Sequence, residues 1–340
     1  MILLIICYQK FRSHNFKLIP VFNLSQKIKR YTQRSLFTLN KNINQPLLNN
    51  DEIIDLLLRI KTNKNKFQRK HDSAFRRIGD FRSIYRGQGM DYEESRHYQA
   101  GDDPRHMNWQ LTARTGQHYM KIFREERQAG VFIVIDRRDT MRFGTRKRLK
   151  VTQAARLATA AALLAQENNV SVGGVILDNE AQWFKENQNK HSIFSFIHQA
   201  TRPVIPVFDK HQQPQNIRSV LLMLNEVLTS GTTVYFISDF YDLTEDCQPI
   251  LLELSSSHKI FAIQITDPAE IKLPKAGILS LKSAESEKKC AINSSSKMEQ
   301  DNYKSWSEDY FSSKKSLFEN IAISFKQVLT TDEAIEQEIV

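Results

Sequence analysis

Apolar residues fall into distinct rhythms along this chain. From Val131 onward, short continuous apolar runs alternate with longer stretches spaced at three and four residues. VFIVI (131–135), VSVGGVIL (170–177), TTVYFIS (232–238) and HKIFAIQI (258–265) read as strands buried on both faces. Between them, 146–168 places Val151, Ala155, Ala158, Ala162 and Ala165 on one helical face. Further helices are expected over 193–200, 217–229 and 250–256, with a short strand at 181–184. Strands and helices in this alternation predict an α/β fold, a doubly wound and mainly parallel sheet. Beyond Asp267-Pro268 the chain turns polar, with 277–281 and 290–292 pairing as an edge hairpin. Residues 300–329 read as a closing helix, with Trp306, Tyr310, Leu317, Ile321, Phe325 and Val328 on its stripe.

Residues 67–128 follow neither rhythm. Gly87 and Gly89 punctuate them, and aromatic residues interleave with arginines. Short strands or irregular elements are expected near 81–85 and 119–123. Between them Asp103 as N-cap and Pro104 at the first helical position predict a one- or two-turn helix over 104–110. Upstream, DEIIDLLLRIK (51–61) reads as a short helix with acids in its first turn, preceded by an Asn-rich linker containing Pro46. The expected organisation is therefore a basic tail (1–50), a small basic mixed module (51–128), a sheet domain (129–330) and a C-terminal tail (331–340).

Charge sharpens this division. Residues 1–128 carry 24 Lys+Arg against 12 Asp+Glu, whereas 129–340 carry 24 against 26. Such asymmetry suits a nucleic-acid or membrane-surface partner, although eight of the basic residues lie in the tail before the first acid, Asp51. Met1–Cys7 (MILLIIC) is too short to span a bilayer and lacks the flanks of a signal peptide. Residues 1–30 suit either peripheral contact with an anionic membrane or a disordered extension. Cys7, Cys247 and Cys290 are scattered, which suggests neither disulfides nor zinc and fits a cytoplasmic protein.

In an open parallel sheet, ligands bind beyond the carboxyl ends of the strands. Two predicted strands end in acids: 131–135 leads into Asp136-Arg137-Arg138-Asp139-Thr140, and 232–238 into Asp239. Two carboxylates and a hydroxyl meeting there would suit Mg²⁺. G-x-x-x-x-G-K-[ST], G-x-S-x-G and H-E-x-x-H are all absent from the sequence, so the chain is not itself a P-loop ATPase, and two hydrolase classes are removed.

An Asp-headed loop after a buried strand, followed by a distant strand ending in Asp, resembles the metal-ion-dependent adhesion site of von Willebrand factor A-type domains. Asp136 matches the first Asp, Thr140 the last Ser/Thr and Asp239 the distant Asp; Arg138 stands where the family has a metal-binding Ser. A guanidinium there opposes a divalent cation and offers only donors. The expected site is degenerate and without metal, with Arg138 pairing to Asp136 or Asp239. A longer motif string comprises Gly87, Gly89, Glu93, Arg96, Tyr98, Gly101, Asp102, Asp103, Arg105, Trp109, Ala113, Arg114, Glu125, Glu126 and Arg127. It resembles the bacterial domain-of-unknown-function family fifty-eight, and the likeness runs over roughly 51–330.

That resemblance implies a von Willebrand A-type sheet and a partnership with MoxR-type AAA+ ATPases. It implies a non-enzymatic adaptor in the assembly or maturation of an unknown client. On this expectation Asp136, Thr140 and Asp239 receive a partner's carboxylate, with Arg137 or Arg138 supplying the metal's charge. A nucleic-acid-binding protein and a Mg²⁺-dependent hydrolase are the alternatives. Asp102, Asp103, Arg105 and Arg114 read as an acidic turn paired with nearby arginines, and Trp109 as an anchor against the sheet. Lys147, Arg148 and Lys150 read as a solvated face at the start of a helix.

Overall fold

The computed structural model describes residues 45–62, 86–87, 91–99, 102–124, 130–204, 216–282 and 289–339. The tail up to residue 44, the segment 81–85, Gly89, Gly101 and Glu125 to Arg127 lie outside them. Two units form: Arg69–Ala129, and the rest of the chain.

Helix α1 (Asn50–Thr62) starts on a reciprocal cap. Asn49 Oδ1 accepts from the Glu52 N–H at 2.8 Å, and Glu52 Oε2 accepts from the Asn49 N–H at 3.0 Å. Leu56 and Ile60, one turn apart, are its buried residues. The helix belongs to the sheet unit, so the smaller unit begins later than the expected residue 51.

In that smaller unit, β1 (Arg86–Gly87), β2 (Asp91–His97) and β3 (Tyr119–Arg124) make an antiparallel sheet of order β1-β3-β2. The charges of DYEESRH hid β2 from the apolar pattern. The helix expected over 104–110 is two elements. Asp103 caps a 3-10 turn, Pro104–His106, and Asn108 caps α2 (Trp109–Thr115), accepting from the Leu111 N–H at 3.2 Å. A second capping residue therefore restarts the helix. Gly116 ends it at φ +73°, a left-handed conformation that favours glycine.

The larger unit runs β4 (Val131–Asp136), α3 (Lys150–Glu167), β5 (Val172–Leu177), β6 (Ala181–Asn187), α4 (Lys190–Thr201), α5 (Ile217–Val227), β7 (Thr233–Ser238), α6 (Gln248–Ser257), β8 (Lys259–Thr266) and α7 (Pro268–Ile271). The hairpin β9 (Ile278–Lys282) and β10 (Lys289–Asn293), helix α8 (Lys297–Glu319) and strand β11 (Ser324–Leu329) complete it. The main sheet has order β11-β8-β7-β4-β5-β6; all neighbours are parallel except β5 and β6. Helices flank it. Phe132, Val134, Val234 and Phe236 pack with α5, α6 and the end of α8 in one core cluster. The Ala-rich α3 is buried nearly all round and packs with α1, α4 and the sheet. Each large apolar side chain buried this way contributes about 1.5–3 kcal/mol.

Two expectations are corrected here. The closing helix stops at Glu319, and Ile321, Phe325 and Val328 are not on it. The chain turns through Ala322 at φ +57° and adds β11 to the edge of β8, satisfying a row of backbone groups a longer helix would leave open. Of the expected tail 331–340, the described residues 331–339 pack onto the sheet unit: Ile335 and Ile339 are buried, and Tyr235 Oη donates to the Ile339 carbonyl at 2.8 Å. The hairpin forms as expected but as a separate two-stranded sheet.

Candidate functional site

From β4 the chain moves outward through β5 to β6, then returns to β4's other side for β7 and β8. This reversal makes the crevice between the ends of β4 and β7 the topological switch point, where α/β sheets hold ligands. Four neighbouring parallel strands end there on aspartates: β8 on Asp267, β7 on Asp239, β4 on Asp136 and β5 on Asp178. Asp136, Asp239 and Asp267 are buried. Burying a carboxylate without compensation is costly, and each is compensated from within the chain.

Asp136 is held by Arg138. Nε reaches Oδ1 at 3.0 Å, Nη2 reaches Oδ2 at 2.7 Å, and the Arg138 backbone N–H donates to Oδ1 at 3.0 Å. Ser238 Oγ adds a fourth bond, to Oδ2 at 2.7 Å. The outer edge of the same guanidinium is bidentate to Asp242, at 2.6 and 2.8 Å. Burial alone would lower the Arg138 pKa, but Asp136 and Asp242 raise it well above its ordinary value. Asp239 is held by Lys150 Nζ at 2.8 Å, and Lys150 also reaches Glu270 Oε1 at 2.8 Å. Burial opposes the charge of Asp239, yet Lys150 and Arg138 keep its carboxyl below the usual range. Burial wins at Glu270, whose carboxyl is raised despite Lys150. Asp267 accepts from the Thr145 and Ala269 N–H groups and from the Thr330 hydroxyl. Asp178 takes Arg142 at 2.8 Å.

Arg137 does a different job from its neighbour. It is fully buried, and its Nη atoms donate to the carbonyls of Gln199, Ala200, Arg202 and Pro203 at 2.7–3.1 Å. A cation on the unsatisfied carbonyls at the end of α4 suits the helix dipole. Burial pushes its pKa down to about 10. The expectation that Arg137 offers charge to a partner does not survive this geometry.

The loop that carries these residues is shaped by Gly144. A Cβ there would lie 2.4 Å from the Arg148 carbonyl oxygen, so the chain folds closely onto the start of α3. That helix begins at Lys150, four residues later than expected. Lys147, Arg148 and Lys150 are not one solvated face. Lys147 pairs with Glu333, Arg148 donates to the Asp332 carbonyl at 2.9 Å, and Lys150 is buried. Thr140 lies beside Asp239, with a buried hydroxyl that makes no hydrogen bond of normal geometry.

The structure thus gathers Asp136, Arg138, Thr140 and Asp239 and leaves Arg137 facing elsewhere. Lys150, Asp242, Ser238 and Glu270 are further members. The sequence held a signal for Lys150, a cation on the first turn of a helix, where the dipole disfavours it. These residues do not fit a divalent ion. Both Asp136 oxygens are already engaged, two fixed cations stand among the ligands, and no trio of Asp, Glu, His or Cys among the described residues is arranged to hold a metal.

In the smaller unit Asp103 caps its turn as expected, and Asp102 is bidentate to Arg96 at 2.6 and 2.8 Å. Among the described residues Arg105 and Arg114 have no ion pair. Trp109 is 64 % exposed instead of buried against the sheet.

A mostly parallel sheet flanked by helices, with a self-neutralised row of acids at its switch point, defines the class of protein. Residues 94–310 match the model of the family described as "Protein of unknown function DUF58". The chain belongs to that family. It is 30% identical over 217 residues to "Uncharacterized protein Rv1480" of Mycobacterium tuberculosis and, with the same figures, to "Uncharacterized protein Mb1516" of Mycobacterium bovis. The match covers 61% of this chain and 65% of each relative, so the chain spans about two thirds of their length. Two solved structures share 12% and 13% identity with it: BatB from Bacteroides thetaiotaomicron and an aerotolerance-related membrane protein from Bacteroides fragilis. Each covers 62% of this chain, and 97% and 98% of those chains are matched. Their TM-scores of 0.37 are too low to carry anything further. No helix among the described residues is long and apolar enough to cross a membrane.

Proposed function

We propose that the chain is a non-enzymatic adaptor with a von Willebrand factor A-type sheet, working with a MoxR-type AAA+ ATPase on a client protein. The supporting observation is the state of the strand-end acids. Each is buried or braced by an internal partner, so none of these four acids is free to act as acid, base or nucleophile on a substrate. Such a surface presents a fixed shape instead of performing a reaction. The buried set of Asp136, Arg138 and Asp239 holds that shape. Contact with the partner falls to the exposed rim, where Asp139 pairs with Arg142 at 3.1 Å. A partner's carboxylate does not enter at Arg138, because Asp242 already takes its outer edge.

Affinity capture from native cells tests the reading. An AAA+ ATPase should co-purify with the wild-type chain, and Asp139→Arg should lose it while keeping the wild-type melting curve. Absence of any AAA+ ATPase from the wild-type capture would sink the proposal. A second reading, nucleic-acid binding, rests on the exposed Trp109 with Arg105 and Arg114 nearby in sequence. It requires affinity for single strands that falls steeply with salt.

A further inference from the structure

We infer that the corner built by the segment 272–278, the β9–β10 hairpin and the first turn of α8 is a docking surface for an anionic lipid bilayer. None of the strand-end acids takes part in it, and it stands with or without an ATPase partner. Ser294, itself buried, holds the corner together. Its Oγ accepts from the Ala276 N–H at 2.9 Å and donates to the Gly277 carbonyl at 2.7 Å. Its own N–H reaches the same carbonyl at 2.8 Å, and its carbonyl accepts from Gln300 Nε2 of α8 at 2.6 Å. Leu273, Ile292 and Tyr303 are buried beneath, with Leu279 and Trp306 packed on them. Leu279 and Ile292 lie opposite each other in β9 and β10 and face that cluster. By strand alternation their neighbours Ile278, Ala291 and Asn293 face outward, and all three are exposed.

Charge and apolar exposure coincide at this corner. Residues 271–282 and 289–298 contain five lysines, at 272, 275, 282, 289 and 297, and no acid. Lys272, Lys275 and Lys297 are exposed and have no ion pair among the described residues. The strand register sets Lys282 opposite Lys289. Lys297 opens α8, where the helix dipole opposes a cation, and Ser296 makes no side-chain cap in compensation. The hairpin loop 283–288 lies outside the described residues and adds Glu285, Glu287 and Lys288 to the sequence. Beside these lysines Ile278 is 49 % exposed, and Met298, at 70 %, is the most exposed large apolar side chain among the described residues. Aliphatic side chains rimmed by lysines match the boundary between headgroups and acyl chains: the ammonium groups meet lipid phosphates while the apolar groups enter the layer below. Nucleic acid is the poorer match, because residues 271–282 and 289–298 hold no arginine for bidentate phosphate contact and no aromatic ring for stacking.

Co-sedimentation of the full-length protein with vesicles tests this, using phosphatidylcholine alone and an equal mixture with phosphatidylglycerol. The wild type should bind the mixed vesicles, release them as salt is raised, and ignore the neutral ones. Lys272→Gln/Lys275→Gln/Lys297→Gln should weaken that binding by more than about tenfold, since each lysine near an anionic surface is worth about fivefold. Ile278→Ser/Met298→Ser keeps every charge and should weaken it by about tenfold. All five side chains are exposed, so both variants should keep the wild-type Tm. Residues 1–50 carry eight Lys+Arg and no acid, so a chain held through its tail alone would sediment unchanged in both variants. No wild-type binding, equal binding to neutral vesicles, or unchanged binding in either variant would overturn the inference. So would a lysine variant that keeps its vesicles but loses a single-stranded oligonucleotide bound by the wild type.

Discussion

At the ends of β4 and β7, Arg138 and Lys150 are buried and bonded to carboxylates of their own chain. Around α2 in the smaller unit, Trp109 is 64 % exposed, and Arg105 and Arg114 have no ion pair among the described residues. The two regions use similar residue types in opposite ways. In the first, charges compensate one another and fix backbone positions across four strands. In the second, an aromatic ring and two cations face solvent, the cations without an ion pair among the described residues. Desolvated charge is therefore architecture here, whereas the side chains around α2 stand in solvent.

The comparison breaks most easily at Lys150. Lys150→Met leaves Asp239 and Glu270 facing each other in a buried site, which should cost about 3–5 kcal/mol. Urea denaturation should report this as a lower midpoint at unchanged slope. A loss below about 0.5 kcal/mol, as for ordinary surface positions, would mean the strand-end network is no more structural than the α2 face.

The two carboxylates on Lys150 should separate with pH. Asp239 is held below its unfolded value, so its contribution is present above about pH 3.9 and is lost as pH falls through the folded value. Glu270 is raised, so the fold prefers it protonated, and stability declines as pH rises from about 4.3 through its folded value. Asp239→Asn should therefore cost more at about pH 7 than at about pH 3. Glu270→Gln should move the other way, becoming less costly relative to wild type as pH rises from about 4 to about 7. Denaturation of both variants at each pH measures it. Parallel behaviour would show that the two acids share one role.

How much of this was legible before folding differs between the same two regions. The four central strands announced themselves as apolar runs, because burial on both faces leaves no polar alternation. Asp136, Thr140 and Asp239 followed from strand ends. Strand β11 was hidden because Phe325 and Val328 sit three residues apart, a spacing that continues a helical stripe but puts the two on opposite faces of a strand. Lys150 was misread because a solvated lysine is the ordinary case, and only Asp239 and Glu270, 89 and 120 residues away, make it a core residue. Arg137 and Arg138 are adjacent in sequence, yet one serves the end of α4 and the other serves Asp136. No local pattern separates them, since the carbonyls that capture Arg137 lie more than 60 residues away. Trp109 reads from its residue type as an anchor against the sheet, yet on a short helix between two caps it is exposed.

The smallest effect on stability, and the sharpest on binding, is expected at Trp109. Trp109→Ala removes a ring that is mostly in solvent, so the unfolding midpoint should move by no more than about 0.5 kcal/mol. An exposed tryptophan that anchors a partner typically carries about 2 kcal/mol or more of binding, a loss exceeding tenfold. On the second reading, single-stranded nucleic-acid binding should then drop in W109A while the folded protein is unchanged and the AAA+ ATPase, met at the Asp139 rim, is still captured. Loss of single-stranded nucleic-acid binding with intact ATPase capture would transfer the α2 face to the second reading. Indifference of both would leave the exposed ring without a recognition role, and the contrast with the strand-end site would reduce to buried against solvated charge.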